Sequence, residues 1–394
     1  MFKFYLRQTV PFNLLEFFLF PFLFFIKKYH SIDYVERKIK EKIGTKYSIV
    51  TSSMRDGLIQ SLSFFNKKYP LKNELILPEY SFHSNLSSVL NLGLKVRYAP
   101  VDPETLEINL KKLPKYINNK TLGIIITHMH GLAYPMEKLV PIIKKNKLLL
   151  FEDCAHVFGN KYKNKCLGSF SEVGCFSFGP GKNITSFGGG AICTNNFSLY
   201  HYLKMLQIKN NNLLENLKTY CYAIIYTLIS NPIFSFFTIK PALKVLYLLN
   251  IKRNKHDKFK LNNKYQRNIK IPNSFQLNLL SYQLDKIYER IEKIIEKRKM
   301  IANFYDIFFG KNNKNIKNNY YFQYPVKTNN QHSLINKSWK QNLDIQTDYC
   351  NHLPNLYKSN KLDLKLNSNI VYLPVNYHIS LSILEKKLLK IFKK

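Results

Sequence analysis

The chain predicts an α/β fold whose large domain is built on a mainly parallel central sheet flanked by helices, and three observations carry that prediction. Short apolar runs bounded by turn residues alternate with helical stretches, the order that a parallel sheet with crossover helices requires. At 394 residues the chain can bury a large core and reaches two or three domains, or one large unit with an appendage. Finally, CFSFGPGKNITSFGGG at 175–190 holds one lysine, Lys182, between Gly179, Pro180 and Gly181 on one side and Gly188, Gly189 and Gly190 on the other. A lysine so placed sits in tightly folded backbone rather than on a solvated helix face.

The amino end, MFKFYLRQTVPFNLLEFFLFPFLFFIKKYH, mimics a signal peptide, but Glu16 interrupts its apolar run and no small-residue cleavage site follows, so secretion is not expected. Phe17 to Ile26 is too short to span a bilayer as a helix and carries Pro21, whereas a segment dipping into the interface needs no such length. Seven strands are predicted next, at Tyr47 to Val50, Glu74 to Leu77, Lys95 to Tyr98, Gly123 to Thr127, Leu148 to Glu152, Cys175 to Phe178 and Ala191 to Thr194. The stretch TYCYAIIYTLISNPIFSFFTI then runs without charge between Lys218 and Lys240, and Asn231 with Pro232 breaks it into halves too short to cross a membrane. A hairpin lying in the lipid interface, flanked by Lys218, Lys240 and Lys244, fits this pattern. So does a helical hairpin packed onto the protein itself or onto a partner subunit.

From Leu280 onward, Leu284, Ile287, Ile291 and Ile294 recur at helical spacing and predict one long amphipathic helix. A Lys/Asn-rich loop from Gly310 to Asn319 leads to a small α+β tail. The expected organisation is an apolar segment at 1–33, a large domain at 34–262 with the apolar insertion at about 199–262, and an interface helix with a small carboxyl-terminal domain at 263–394.

The net charge of +35 would attract nucleic acid, an anionic membrane surface or a phosphorylated substrate, and a codon bias towards Asn, Lys and Ile spread over the surface would produce it as well. Nucleic acid ranks last, because the charge is diffuse and no stacking module or reading helix is visible. The six cysteines form no C-x-x-C pair and no zinc spacing, which points to reduced, buried thiols in a cytoplasmic protein. His128 and His130 have ligand-like spacing, but no acidic or cysteine cluster accompanies them in sequence, so no metal site is expected.

In FEDCAHVFG a strand ends in Glu152 and Asp153, and open α/β sheets place ligands at the carboxyl ends of their strands. A buried amine on a glycine-rich loop, an acid at a strand end and a helix amino terminus for a phosphate together describe what pyridoxal phosphate requires. At this point the sequence closely resembles the sugar aminotransferases of the DegT/DnrJ/EryC1/StrS family, which have the fold type I architecture of pyridoxal phosphate enzymes. The family reads E-D-x-A-[QH]-x-x-G, a G-S-F turn, S-F-x-x-x-K-N-[LI]-T and a glycine-rich close. This chain has EDCAHVFG, LGSFSEVGCFSFGPGKNIT and SFGGG in that order.

The resemblance implies a role for each matching residue. Lys182 would form the Schiff base and shuttle the proton between substrate and cofactor, and Asp153 would pair with the pyridinium. His156 fills the position near the ring hydroxyl, Ser177 that of a serine bonded to the cofactor phosphate, and Phe82, in LPEYSFHSN, that of the aromatic covering the ring. Ser53, Met54 and Arg55, where the family writes S-G-T, lie at the helix start that takes the phosphate, with Arg55 available as a charged partner.

Two features depart from the family. Gly188 stands where a glutamate is usual, and LNNKYQRNIKIPNSFQLNLL keeps only a trace of G-x-N-x-R-M, a segment that often reaches the site of the partner subunit. NSFQLNLLSYQLDKI still resembles the family's interface helix and IQTDYCNHLP its substrate-side loop. The resemblance thus implies a homodimeric transaminase that moves an amino group, from glutamate, onto a nucleotide-linked keto-sugar for polysaccharide or glycolipid assembly, with possible peripheral membrane contact through the apolar segments. A same-fold sugar dehydratase is disfavoured by Lys182, and a catalytically silent scaffold or regulator remains the alternative that positions 54 and 188 leave open.

Overall fold

Each of the seven apolar runs becomes a strand: β1 Tyr47–Thr51, β2 Glu74–Pro78, β3 Lys95–Ala99, β4 Thr121–Thr127, β5 Leu149–Asp153, β6 Val173–Ser177 and β7 Gly190–Thr194. The computed structural model describes all residues except 1, 7–8, 13, 27–31, 103–104, 210–211, 250–267, 311–320, 346, 348–350, 354–369, 377 and 393–394. The strands form one sheet in the order β1-β7-β6-β5-β4-β2-β3. Pairing is parallel from β6 through β3, and only β7 runs antiparallel to its neighbours. The mainly parallel sheet is therefore as expected.

Both faces of the sheet are covered, which is why the central strands read as apolar runs, whereas the edge strand β3, KVRYA, carries Lys95 and Arg97 and is only partly buried. Successive residues point to opposite sides, so Ile49, Leu75, Ile125 and Phe151 enter one apolar cluster while Val50, Ile76, Ile124 and Leu150 enter the other. Every position of β4 is buried.

The apolar amino end forms helix α1, Leu19–Phe25, and is followed by α2, Ile32–Ile43, which runs across the 33/34 division. Helix α3, Met54–Lys68, follows β1. The insertion folds as α4, Leu213–Ser230, α5, Pro232–Phe237, and α6, Ile239–Leu248, broken at Asn231 as Pro232 requires. Upstream of it, Leu199 and Leu203 belong to the core beside the sheet, so the apolar insertion proper starts near Leu213. The 262/263 division and most of the Gly310 to Asn319 loop lie outside the described residues.

The single long helix expected from Leu280 is instead two helices, α7, Ser274–Asp285, and α8, Ile287–Phe308, meeting at Lys286. Leu284 and Ile291 feed the same apolar cluster from either side of the break, so the spacing of apolar residues does not reveal it. A capping box starts α7: Asn273 Oδ1 accepts from Gln276 N and Gln276 Oε1 accepts from Asn273 N, each at 3.0 Å.

The two apolar segments meet each other and both pack onto the body. Phe20, Leu23, Phe187, Ala223, Phe275 and Leu279 share one cluster, and the Phe24 and Tyr220 rings lie 4.5 Å apart. Asn278 Nδ2 donates to Leu23 O at 2.9 Å and to Ile26 O at 3.0 Å, and Arg290 Nη2 donates to Glu16 Oε2 at 2.8 Å. Toward the carboxyl end, Gln323–Lys327 pairs antiparallel with Ile370–Pro374 beside helices Gln331–Lys340 and Leu381–Phe392, and Tyr5 joins their cluster. Of the cysteines described, Cys154, Cys166, Cys175 and Cys193 are buried thiols, whereas Cys221, on the outer side of α4, is exposed; Cys350 lies outside the described residues.

Candidate active site

Parallel strands present their carboxyl ends to one edge of the sheet, and a cavity of about 310 Å³ lies there. Asp153 ends β5, Thr127 ends β4 and Ser177 ends β6, while Ser53 and Phe82 each precede a helix that leaves the sheet at that edge. Lys182, Asp153, His156 and Ser177 line this cavity, as do Ser53, Met54, Arg55 and Phe82. Residues spread over 130 positions of sequence, from 53 to 182, thus converge where the strand ends put them.

Asp153 is buried and firmly oriented. Its Oδ2 accepts from Asn85 Nδ2 at 2.8 Å and from Thr127 Oγ1 at 3.3 Å, and its Oδ1 accepts from Ala155 N at 3.1 Å. His156 stacks on Phe322, ring centroids 4.4 Å apart and 9° from parallel. Burial, then the charges of Lys182 and Arg298 and the neighbouring His130, hold its imidazole well below the ordinary histidine pKa, so it is neutral. The Lys182 ammonium lies 4.9 Å from the centre of the same Phe322 ring.

The lysine loop is fixed from two helices. Arg298, buried in α8, donates from Nη1 to Asn183 Oδ1 and from Nη2 to Gly181 O at 3.2 Å. Gln283 in α7 donates to Thr185 O at 2.7 Å and accepts from Thr185 N at 3.0 Å. Gly181 has a φ of +78°, a backbone conformation that favours glycine.

At the α3 end of the cavity, Ser53 caps the helix: its Oγ accepts from Asp56 N at 3.1 Å and donates to Asp56 Oδ2 at 2.8 Å. Gly190 lets that helix start so close to the sheet, since a Cβ there would lie 2.3 Å from Met54 N and 2.7 Å from Phe176 O. Gly188, the departure from the family glutamate, has a counterpart in space: a Cβ on it would lie 2.6 Å from Gln276 Nε2, so the α7 capping glutamine fills the room beside the loop. Residues 261–267 of the blurred signature, and 346, 348–350 and 354 of IQTDYCNHLP, lie outside the described residues. Asn351–His352 pairs with Tyr80–Ser81, next to Phe82, which brings that loop beside the cavity.

His128 does have acidic and cysteine company in space, contrary to the reading from sequence, because Glu152 and Cys154 bring ligand atoms within 4.8 Å of it and of one another. The donors are already used. Tyr134 N donates to His128 Nδ1 at 3.3 Å, leaving Nε2 to donate to Glu152 Oε2 at 3.1 Å, and Glu152 also accepts from Gly168 N and Phe170 N, both at 2.9 Å. Burial pushes the Cys154 thiol well up, so it stays protonated. This is a satisfied buried network, with no lone pair left on His128 for a metal.

Sequence reasoning missed Asn85, Thr127, Arg298 and Phe322. Asn85 and Thr127 stood inside stretches already singled out, and Arg298 occupies the inward stripe of α8 between Ile291, Ile295 and Ile301, Ala302, where an apolar residue is expected.

The pattern of the DegT/DnrJ/EryC1/StrS aminotransferase family matches residues 24–225. The chain belongs to that family. Among curated relatives, GDP-perosamine synthase of Escherichia coli O157:H7 is 34% identical over 173 residues, covering 44% of this chain and 47% of the relative. The UDP-4-amino-4,6-dideoxy-N-acetyl-beta-L-altrosamine transaminase of Helicobacter pylori is 29% identical over 174 residues, 44% of this chain and 46% of the relative. The chain thus spans about half the length of the curated relatives it matches. Among solved structures, the H. pylori aminotransferase PseC superposes with a TM-score of 0.73 at 18% identity over 99% of this chain and 98% of that one. The E. coli GDP-4-keto-6-deoxy-D-mannose-3-dehydratase with bound hydrated PLP gives 0.72 at 17% identity, with 99% of each chain covered. These likenesses establish the fold type I architecture. In this family the donor set just described fits pyridoxal phosphate: an amine for its aldehyde, a carboxylate for its ring nitrogen, and a helix start with hydroxyls for its phosphate.

Proposed function

We propose that the chain is a pyridoxal phosphate aminotransferase that transfers an amino group from glutamate to a nucleotide-linked keto-sugar, in the synthesis of polysaccharide or glycolipid. The observation that carries this reading is that Lys182 and Asp153 face one cavity whose far end is the amino terminus of α3. In the same reading it is a cytoplasmic homodimer with a peripheral contact to the inner face of the membrane. The relatives named as a GDP-perosamine synthase and a UDP-aminosugar transaminase support the substrate class.

When bound, the cofactor supplies an aldehyde that takes up the amine and a ring that accepts electrons from the adjoining carbon. Lys182 Nζ would hold the aldehyde and, as a free amine once a donor amine has taken its place, would move the proton from the donor carbon as general base and return it as general acid. The Phe322 ring, which lies beside the Lys182 Nζ, would keep the displaced side chain at the site, and would favour its charged form once it has taken up the proton. Asp153, fixed by Asn85, Thr127 and Ala155 N, keeps a proton on the ring nitrogen. Neutral His156 packs the ring without adding a second positive charge, and Phe82 covers it from the cavity wall. The α3 backbone amides, with Ser53, Ser177 and Arg55, bind the phosphate.

The test is to reduce one sample of the cofactor-loaded protein with borohydride and map the modified residue, and to incubate a second, unreduced sample with labelled glutamate and GDP- and UDP-linked 4-keto-sugars. The reading expects a yellow protein modified at Lys182, no such adduct in Lys182→Ala, and transfer of the labelled nitrogen to a sugar. A colourless protein would favour the silent alternative, and a deoxygenated product without nitrogen the dehydratase.

A further inference from the structure

We propose that the outward faces of α1 and α4, with the bend that follows α4, form a docking surface for an anionic bilayer, entering its interface without crossing it. This deepens the peripheral placement above and rests on it only for the leaflet that is met. Apolar residues on both sides of a helix carry the inference. α1 buries Phe20 and Leu23 against the body but leaves Phe22 58% and Phe25 78% exposed, and Phe18, which precedes it, is 74% exposed. α4 turns Ala223 and Thr227 inward and leaves Leu214, Leu217 and Ile225 outside. A helix on a soluble surface places polar side chains on that outer stripe. The two helices touch at Phe24 and Tyr220, so their outer stripes adjoin, and exposed Phe234 and Phe237 extend the surface past the bend.

Length and shape favour lying in an interface over spanning one. Among the described residues no single helix is long and apolar enough to cross a membrane, and α4 meets Pro232–Leu246 at 83°.

Charge selects the occupant. Lys218 in α4 and Lys244 in α6 are exposed. The acidic residues of 2–26 and 212–249 are Glu16, paired with Arg290, and Glu215, paired with Lys270. The apolar face therefore has a positive rim whose acids are already neutralised. A second copy docked about a two-fold axis would bring equal charges together, whereas anionic headgroups neutralise them, and the net charge of +35 adds long-range attraction.

The experiment is flotation of the full-length cofactor-loaded protein with phosphatidylcholine vesicles, with and without phosphatidylglycerol, at low and high salt. Two variants accompany it: Phe22→Ser/Phe25→Ser/Leu217→Ser, which removes exposed apolar surface, and Lys218→Glu/Lys244→Glu, which reverses the rim. The protein should float with phosphatidylglycerol vesicles at low salt, and roughly tenfold less or weaker in the apolar variant. The charge variant should lose the preference for anionic lipid, and both variants should keep the parent's gel-filtration size. No flotation of the parent overturns the proposal, as does an apolar variant that floats equally well, which would leave diffuse charge attraction alone. A smaller gel-filtration species in the apolar variant would assign the face to a second copy instead. Flotation is read without turnover, so failure of the transaminase reading leaves this outcome separate.

Discussion

Gly190→Ala puts the link between the sheet and the cofactor end of the cavity under direct test. The added methyl would sit 2.3 Å from Met54 N, 2.7 Å from Met54 Cα and 2.7 Å from Phe176 O, all backbone atoms that cannot rotate away. Relief to ordinary contact requires the first turn of α3 to move about 1 Å from β7, and overpacking of this kind typically costs about 1–3 kcal/mol. The same movement carries Ser53, Met54 and Arg55 out of position, and loss of one hydrogen bond to a charged phosphate, about 1.5–3 kcal/mol, weakens cofactor binding roughly tenfold or more. Gly179→Ala is the control, because there the nearest atom is Ser177 Oγ at 3.6 Å. Urea unfolding by circular dichroism and absorbance titration of the stripped protein with pyridoxal phosphate measure the two effects. An unfolding midpoint and affinity equal to the parent in Gly190→Ala, or equal damage in Gly179→Ala, would refute the steric argument.

Asp153→Asn should leave the fold intact while lowering turnover at least about a hundredfold, since an amide cannot keep the ring nitrogen protonated; steady-state rates with saturating cofactor test this. His156 resists protonation only in the folded state, so stability is full above the ordinary histidine pKa and is lost as pH falls from there toward the depressed folded value. His156→Gln should therefore flatten the decline in urea stability below about pH 6.5, and an unchanged slope would exclude His156 as its source. Asn278→Ala should cost about 1–3 kcal/mol, because it leaves Leu23 O and Ile26 O without that donor, and should expose the bonds around residues 23–26 to protease first.

The sheet was legible because most of its strands are short apolar runs closed by turn residues, and β4, with all its positions buried, leaves no polar face to blur the signal. The cavity residues were legible because EDCAHVFG and GPGKNIT are local motifs whose strand-end positions dictate where the side chains go. Arg298 and Phe322 were not, since they reach Lys182 from more than 100 residues away, and no local pattern encodes such a contact. The break at Lys286 escaped notice because the inward stripe continues across it. The company around His128 was hidden for a related reason: β4 and β5 lie side by side, so His128, just past the end of β4, meets Glu152 of β5 from 24 positions away in sequence.

The exchange of a loop side chain for one from α7 has a mutational corollary. Returning a glutamate to position 188 would drive its Cβ against Gln276 Nε2, and Gln276 cannot withdraw without giving up the bond its Oε1 accepts from Asn273 N. The two positions are therefore coupled: a side chain at 188 and the glutamine side chain of the α7 capping box compete for the same space, so a substitution at 188 is read out at the start of α7.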